Sequence, residues 1–389
     1  MRLLIHTGPA SGHVRPTVPI AQAWRDHGDE VVFATGGAAR GEIEGLGFKL
    51  VELPAVEGFD GPSFKRSLEG MDGAGRLQAV LGFLFNRAAF WTTPLAAVAQ
   101  DFKPDVILGE STSWAALFAG ELADTPVATF HYNPANTSFL GQVLGARFAE
   151  FRAELGLPAD PDFAALNRWL TLVGGPPEWF ASRPLPPTAH LIQPPDAGAR
   201  AGESIEELLR EFDRRPLVYA TLGTTFNAQE DVWSMVLEGL AELDANVIAT
   251  VGRDLDPDDF GRHPDNVRIE RFISQALILP RCSAMLAHGG YGSLMGALRH
   301  GVPVVSIPLA AADNARHAAK LEKLGAGIAI HEDSRSPRAI GDAMTRVLMN
   351  SAYRDAAARL AASIALLPPT SHGATLIKRL AEQRQPLER

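Results

Sequence analysis

Apolar and polar residues fall in blocks along this chain rather than in single alternation. The short runs RLLIHT (2–7), EVVFAT (30–35), KLVELP (49–54), PDVILGE (104–110) and PVATFH (126–131) are largely hydrophobic. Runs of this length without alternation predict strands buried on both faces. Helical patterns over 17–27, 39–47 and 113–123 lie between them. Strands alternating with helices at this pitch predict a parallel sheet covered on both sides. The pattern breaks at 174–202, which is dense in proline and glycine and reads as the irregular end of a first domain plus a linker. It then restarts with PLVYATLG (216–223), NVIATVG (246–252), VRIERF (267–272), AMLAHGG (284–290) and VPVVSIP (302–308), with helices between them, one over 230–243. A last helical pattern covers 370–383. Two doubly wound α/β domains in tandem are expected, with the boundary between 176 and 203.

The stretch 59–91 departs from this regularity. It carries Phe59, Phe64, Leu77, Phe83, Phe85, Phe90 and Trp91 among glycines and charges. It reads either as helices packed over the first sheet or as a lid lining a pocket for an apolar ligand. In the second reading Phe59, Phe83 and Trp91 are candidate acceptor contacts.

Composition narrows the class. The 389 residues suit two domains better than one, and 46% hydrophobic with 21% charged residues is ordinary for a globular protein. A net charge of -9 and the lack of a long basic run argue against nucleic acid or an anionic membrane as partner. No run approaches the ~18–20 apolar residues that span a bilayer. The single cysteine, Cys282, excludes an intramolecular disulfide and a cysteine-type metal site, and reads as a small buried hydrophobe in a cytoplasmic protein. No metal site is expected. The first strand lacks G-x-G-x-x-G, which disfavours a dehydrogenase.

Two glycine-rich turns carry candidate chemistry. In AHGGYGSLMGAL (287–298) a strand ends at His288, glycines follow, and a helix is expected from about Ser293. Glycines admit a phosphate close to the backbone, and a helix N-terminus presents unpaired N–H groups and a positive dipole end. His288 and Ser293 add side-chain donors, so the turn can cradle a diphosphate. The plainer alternative is a glycine turn with a serine cap. PLAAADN (308–314) puts Asp313 and Asn314 after the next strand, where a carboxylate and a carboxamide suit vicinal sugar hydroxyls, or cap a helix. Near the N-terminus, GPASGHVRP (8–16) sets His13 in a turn between strand and helix.

The segments FISQ, HGGYGS, HGVPVVSIP and DN resemble the donor-binding signature of the family-1 glycosyltransferases of the GT-B fold. Among these the chain is most similar to actinobacterial members that decorate natural products of the macrolide, polyketide or enediyne type. The resemblance runs from GHVRP to LEKLGAG. It implies two Rossmann-like domains facing across a cleft: an acceptor domain (1–195), a nucleotide-sugar domain (196–365) and a terminal helix (366–389) returning to the first. By position, Phe272 would lie against the nucleobase and the Ile273 backbone would bond its edge, with Gln275 near the nucleoside. His288, Gly289, Gly290, Gly292 and Ser293 would hold the diphosphate. Asp313 and Asn314 would grip the sugar, and Thr224 would stand near the scissile bond. Three positions depart from the family pattern: Ser293 replaces threonine, Ser274 proline and Asn314 glutamine. Plant members carry a ribose-gripping glutamate where Gly296 stands here, so its absence fits a thymidine diphosphate donor without excluding uridine.

The resemblance also implies the role of His13. It would take the proton from an acceptor hydroxyl, whose oxygen then attacks the anomeric carbon with inversion. A histidine has an ordinary pKa near ~6.5, suited to that task. Glu110, at a strand end where many relatives have aspartate, would orient the ring. His6 and His131 lie in strand patterns and read as packed or pocket-lining residues. The expected activity is transfer of a sugar from a dTDP- or UDP-sugar, a co-substrate rather than a cofactor, to an apolar acceptor hydroxyl. A sugar-nucleotide epimerase of the same fold and a non-catalytic sugar-nucleotide-binding activator are the competing readings. The oligomeric state, monomer or homodimer, stays open.

Overall fold

The first half of the chain builds seven strands: β1 Arg2–His6, β2 Glu30–Gly36, β3 Lys49–Leu53, β4 Val106–Glu110, β5 Val127–His131, β6 Leu170–Gly174 and β7 Ala189–Ile192. The computed structural model describes residues 1–55, 64, 67–68, 71, 73–132, 137–182, 184–196, 198–199, 202–223, 229–252, 254–309 and 312–389. All seven strands run parallel, in the order β3-β2-β1-β4-β5-β6-β7. Every residue of β4, β5 and β6 is buried, as suits interior strands of a parallel sheet. Leu3 and Ile5 face one core with Trp24, Phe33 and Leu108, while Leu4 faces the other with Phe85, Trp91 and Phe118.

The second half builds a six-stranded parallel sheet: β8 Leu217–Thr221, β9 Asn246–Thr250, β10 Val267–Glu270, β11 Ala284–Ala287, β12 Val304–Ser306 and β13 Gly327–Ala329. Its order is β10-β9-β8-β11-β12-β13. One core of this unit gathers Val218, Trp233, Val247, Leu286, Val305 and Met344. Both sheets carry helices, as in two Rossmann-like domains of a GT-B fold.

Contacts divide the chain into two units. The first is Met1–Gly175, Phe180–Pro195 and Pro368–Arg389, and the second is Pro176–Trp179 and Asp196–Leu367. The terminal helix His372–Gln383 puts Ala374, Leu376, Ile377 and Leu380 into the core of the first unit. A β-carbon on Gly373 would stand 2.9 Å from Leu172, so glycine lets this helix sit close to the sheet.

Two expectations need correcting. The proline-rich stretch is not wholly irregular, for it contains the helix Pro177–Phe180 and the strand β7. Strand β7 is at the sheet edge, and the nearby prolines flank it without interrupting its ladder. The helix after β11 begins at Tyr291, not near Ser293. Gly290, in extended conformation, is its cap, so Ser293 lies inside the first turn. The stretch before Trp91 is mostly one helix, Gly73–Phe102, with Pro94 inside it and Leu81, Phe85, Ala88, Trp91 and Leu95 buried against the first sheet.

Candidate active site

Strand β1 lies between β2 and β4, so the strand order reverses at the β1–β4 pair. Such a reversal leaves a crevice beyond the carboxyl ends of the two strands. Both first-unit candidates lie there. After β1 the chain makes a single helical turn, Ser11–Val14, with extended Ala10 as its cap. The His13 N–H donates to the Ala10 carbonyl at 2.8 Å, which fixes the residue in the turn. Glu110 is the last residue of β4. Nδ1 of His13 stands 3.2 Å from Oε1 of Glu110, with side-chain exposures of 31% and 0%. The approach meets the distance of a hydrogen bond but not its full geometry, so the pair is a close electrostatic contact. Nδ1 is enclosed while the ring as a whole reaches solvent.

The Glu110 carboxylate is well supplied with donors. It accepts from the Ser111 hydroxyl at 3.1 Å, the Thr112 N–H at 3.0 Å, the Ser113 hydroxyl at 3.3 Å and the Thr112 hydroxyl. Burial pushes its pKa up, but the His13 ring and the Thr112 bonds outweigh burial and hold it well below the usual carboxylate range. A permanent anion therefore faces Nδ1.

Arg87 is a neighbour that the sequence reading overlooked. It projects from the helix Gly73–Phe102, and its Nη2 donates to the Thr112 hydroxyl at 3.2 Å. Its only sequence signal is a lone charge in the apolar run LGFLFNRAAFW (81–91). His6 is buried, its Nδ1 2.8 Å from the Ala34 carbonyl, and burial lowers its pKa to about 4. His131 is buried as well. Trp91 is 3% exposed, donates its indole N–H to the Pro54 carbonyl at 2.9 Å and meets His6 edge-on. It belongs to the core packing under the site. Phe83 is half-buried and stacked on Phe64 at 4.1 Å. Phe59 lies outside the described residues.

The second sheet reverses its order at β8–β11, and the candidate phosphate turn follows β11. The His288 ring is clamped between glycines. A β-carbon on Gly223 would fall 2.5 Å from its Cε1, and one on Gly290 2.3 Å from its Nε2. Gly223 and Gly289 have φ of +82° and +84°, a region that favours glycine. Burial lowers the pKa of His288 to about 4, so the ring is neutral at physiological pH. Gly292 is open, with nothing within 4 Å of where its β-carbon would be. The backbone N–H groups of the first turn, Tyr291 to Ser293, have no acceptor within the helix and suit an anion.

Further side chains brace this turn. Nδ1 of His317 lies 3.2 Å from the Gly289 carbonyl. Asn314 is buried, and its amide donates to the Leu309 carbonyl at 3.1 Å. Asp313 is exposed and paired with Arg316. The two adjacent residues thus face different ways. Gln275 reaches the Ser293 hydroxyl at 3.5 Å, and a β-carbon on Gly296 would meet its Oε1 at 3.2 Å. Phe272 is 40% exposed and Ile273 is buried. Thr224 lies outside the described residues. Among the described residues no three His, Cys, Asp or Glu side chains form a metal-binding group, and no helix is long and apolar enough to cross a membrane.

Residues 234–379 match the family "Erythromycin biosynthesis protein CIII-like, C-terminal domain". The 4'-demethylrebeccamycin synthase of Lentzea aerocolonigenes is 31% identical, over 92% of this chain and 94% of that protein. In fold the chain is similar to a calicheamicin glycosyltransferase, with a TM-score of 0.81, 18% identity and 99% of each chain covered. It is also similar to the glycosyltransferase SnogD from Streptomyces nogalater, with a TM-score of 0.76, 25% identity and coverage of 98% and 99%.

Proposed function

This chain belongs to the GT-B glycosyltransferases related to the actinobacterial natural-product enzymes, and from that premise we propose that it transfers its sugar with inversion to a hydroxyl of an apolar natural product, with His13 as the base. General transfer from a nucleoside diphosphate sugar to an acceptor comes with the family. The observation that carries the finer reading is the contact between His13 and the donor-rich, anionic Glu110 at the strand-order reversal of the first sheet. An anion at Nδ1 favours the tautomer with its proton there and leaves Nε2 as the acceptor. The acceptor O–H gives its proton to Nε2 and its oxygen forms the new bond to the anomeric carbon. The bond from that carbon to the diphosphate oxygen breaks, and its electron pair leaves with the nucleotide.

The leaving diphosphate would be met at 289–293 by first-turn N–H groups and the neutral His288 ring as an N–H donor, without a metal. Phe272 and Ile273 would hold the base, and Gln275 would sit near the nucleoside. Asp313, exposed, would reach the sugar. Asn314, bonded to Leu309, would act mainly by shaping the turn. Gly296 offers no side chain to grip a ribose, so dTDP should be preferred over UDP in a competition assay.

The test is His13→Ala. Turnover with a weakly acidic alcohol acceptor should fall by about 10²–10⁴-fold. Affinity for the nucleoside diphosphate, measured by calorimetry, should stay the same. The loss should shrink for nitrophenol acceptors, which part with their proton unaided. Full activity of His13→Ala on the alcohol would remove His13 from this role.

A further inference from the structure

The first unit holds a cation that the proposed proton transfer does not use. The Arg87 guanidinium lies 5.8 Å from the Phe83 ring centre and 5.6 Å from that of Trp91. Its Nη2 donates to Thr112, which in turn donates to Glu110. A β-carbon built on Gly8 would stand 3.3 Å from its Nη1 and 3.2 Å from both Cγ and Cδ2 of His13. Guanidinium and imidazole therefore pack side by side against the same glycine. Among the described residues no carboxylate forms an ion pair with Arg87, and Glu110 acts on it through space. A guanidinium carries five N–H donors in a planar fork and keeps its charge when buried. Thr112 engages one of these donors.

We propose that Arg87 binds an oxygen of the acceptor beside the reacting hydroxyl, so that the site selects aromatic acceptors with a carbonyl or carboxylate substituent ortho to that hydroxyl. The inference rests on His13 marking where the hydroxyl sits. A planar fork matches the two oxygens of such an ortho pair better than a single hydroxyl does. The Phe83 ring beside the guanidinium, stacked on Phe64, makes that side of the site aromatic, which suits a flat ring. The same cation stabilises negative charge growing on the acceptor oxygen as its proton leaves.

The test is direct binding to the full chain by calorimetry, with 1-naphthol and 2-acetyl-1-naphthol as probes. Wild type should bind the acetyl compound about tenfold more tightly or better, the usual worth of a hydrogen bond to a charged group. Arg87→Met should bring the two affinities within about twofold of each other. Arg87→Lys, which keeps the charge without the fork, should retain part of the preference, and it serves alone should Arg87→Met fail to fold by circular dichroism. Equal affinities in wild type, no binding of either probe, or a preference unchanged in both variants would overturn the proposal. His13→Ala should keep the binding preference while losing turnover. If it keeps both, and Arg87→Met still erases the preference, the base assignment fails and the Arg87 contact stands.

Discussion

At the scale of single residues, the site depends on a charge held where charge is expensive. Glu110 is buried, and its four hydrogen-bond donors together with the His13 ring keep it ionised. Glu110→Gln keeps the shape but removes the charge and turns an amide NH2 toward donors. Turnover should drop by about 10–100-fold, less than for His13→Ala. Unchanged turnover would show that Glu110 does not act on the ring. The sequence made both residues legible as candidates, since each ends or follows an apolar run. It did not show that the fold brings them to 3.2 Å, nor that Arg87 joins them, because a single charge in an apolar helix carries no address.

At the scale of elements, glycines decide how closely helices pack. The helix Glu230–Ala241 crosses the helix Pro337–Met349 at Gly239, where a β-carbon would stand 2.4 Å from the Pro337 carbonyl oxygen. Gly341 faces the Gly239 carbonyl oxygen at 2.8 Å from its own β-carbon position. Backbone cannot step aside as a flexible side chain can. Gly239→Ala should therefore destabilise the protein by about 1–3 kcal/mol in urea unfolding. Gly145, in the helix Thr137–Glu154, has nothing within 4 Å of its β-carbon position. Gly145→Ala should stabilise by up to about 1 kcal/mol. Like signs for the two changes would show that propensity, not packing, governs both. Helical periodicity located the segment 230–243, but it is silent on which turn of one helix meets another.

At the scale of the whole molecule, both units bury neutral histidines. His6 in the first and His288 and His317 in the second have pKa values lowered by burial to about 4, against an ordinary 6.5. Between those values the unfolded chain takes up protons that the folded chain refuses. Stability is thus full above about pH 6.5 and falls as pH drops toward 4, by about 3 kcal/mol per ring over the window. Glu110, depressed in the folded state, adds a loss in the same direction at still lower pH. The melting temperature should be flat from pH 8 to 6.5 and decline below. His317→Asn, which keeps a donor near the Gly289 carbonyl without a titrating ring, should flatten part of that decline. An unchanged slope would show that His317 is already protonated in the fold.

By itself the sequence determined the alternation of strands and helices, the two sheets in tandem and both glycine turns, because periodicity and glycine placement report local conformation and burial. Tertiary structure alone decided what depends on strand order. It set β1 beside β4 and β8 beside β11, and so brought His13 to Glu110 and His288 against Gly223. It made an edge strand of 189–192 inside a proline-rich stretch, since an edge needs a partner on one side only. It turned Asn314 inward to Leu309 while Asp313 stayed in solvent, a parting that two adjacent polar letters do not reveal. The first two share one reason. Which residues meet across a hundred positions is a property of how the sheets are wound, and no local pattern carries it.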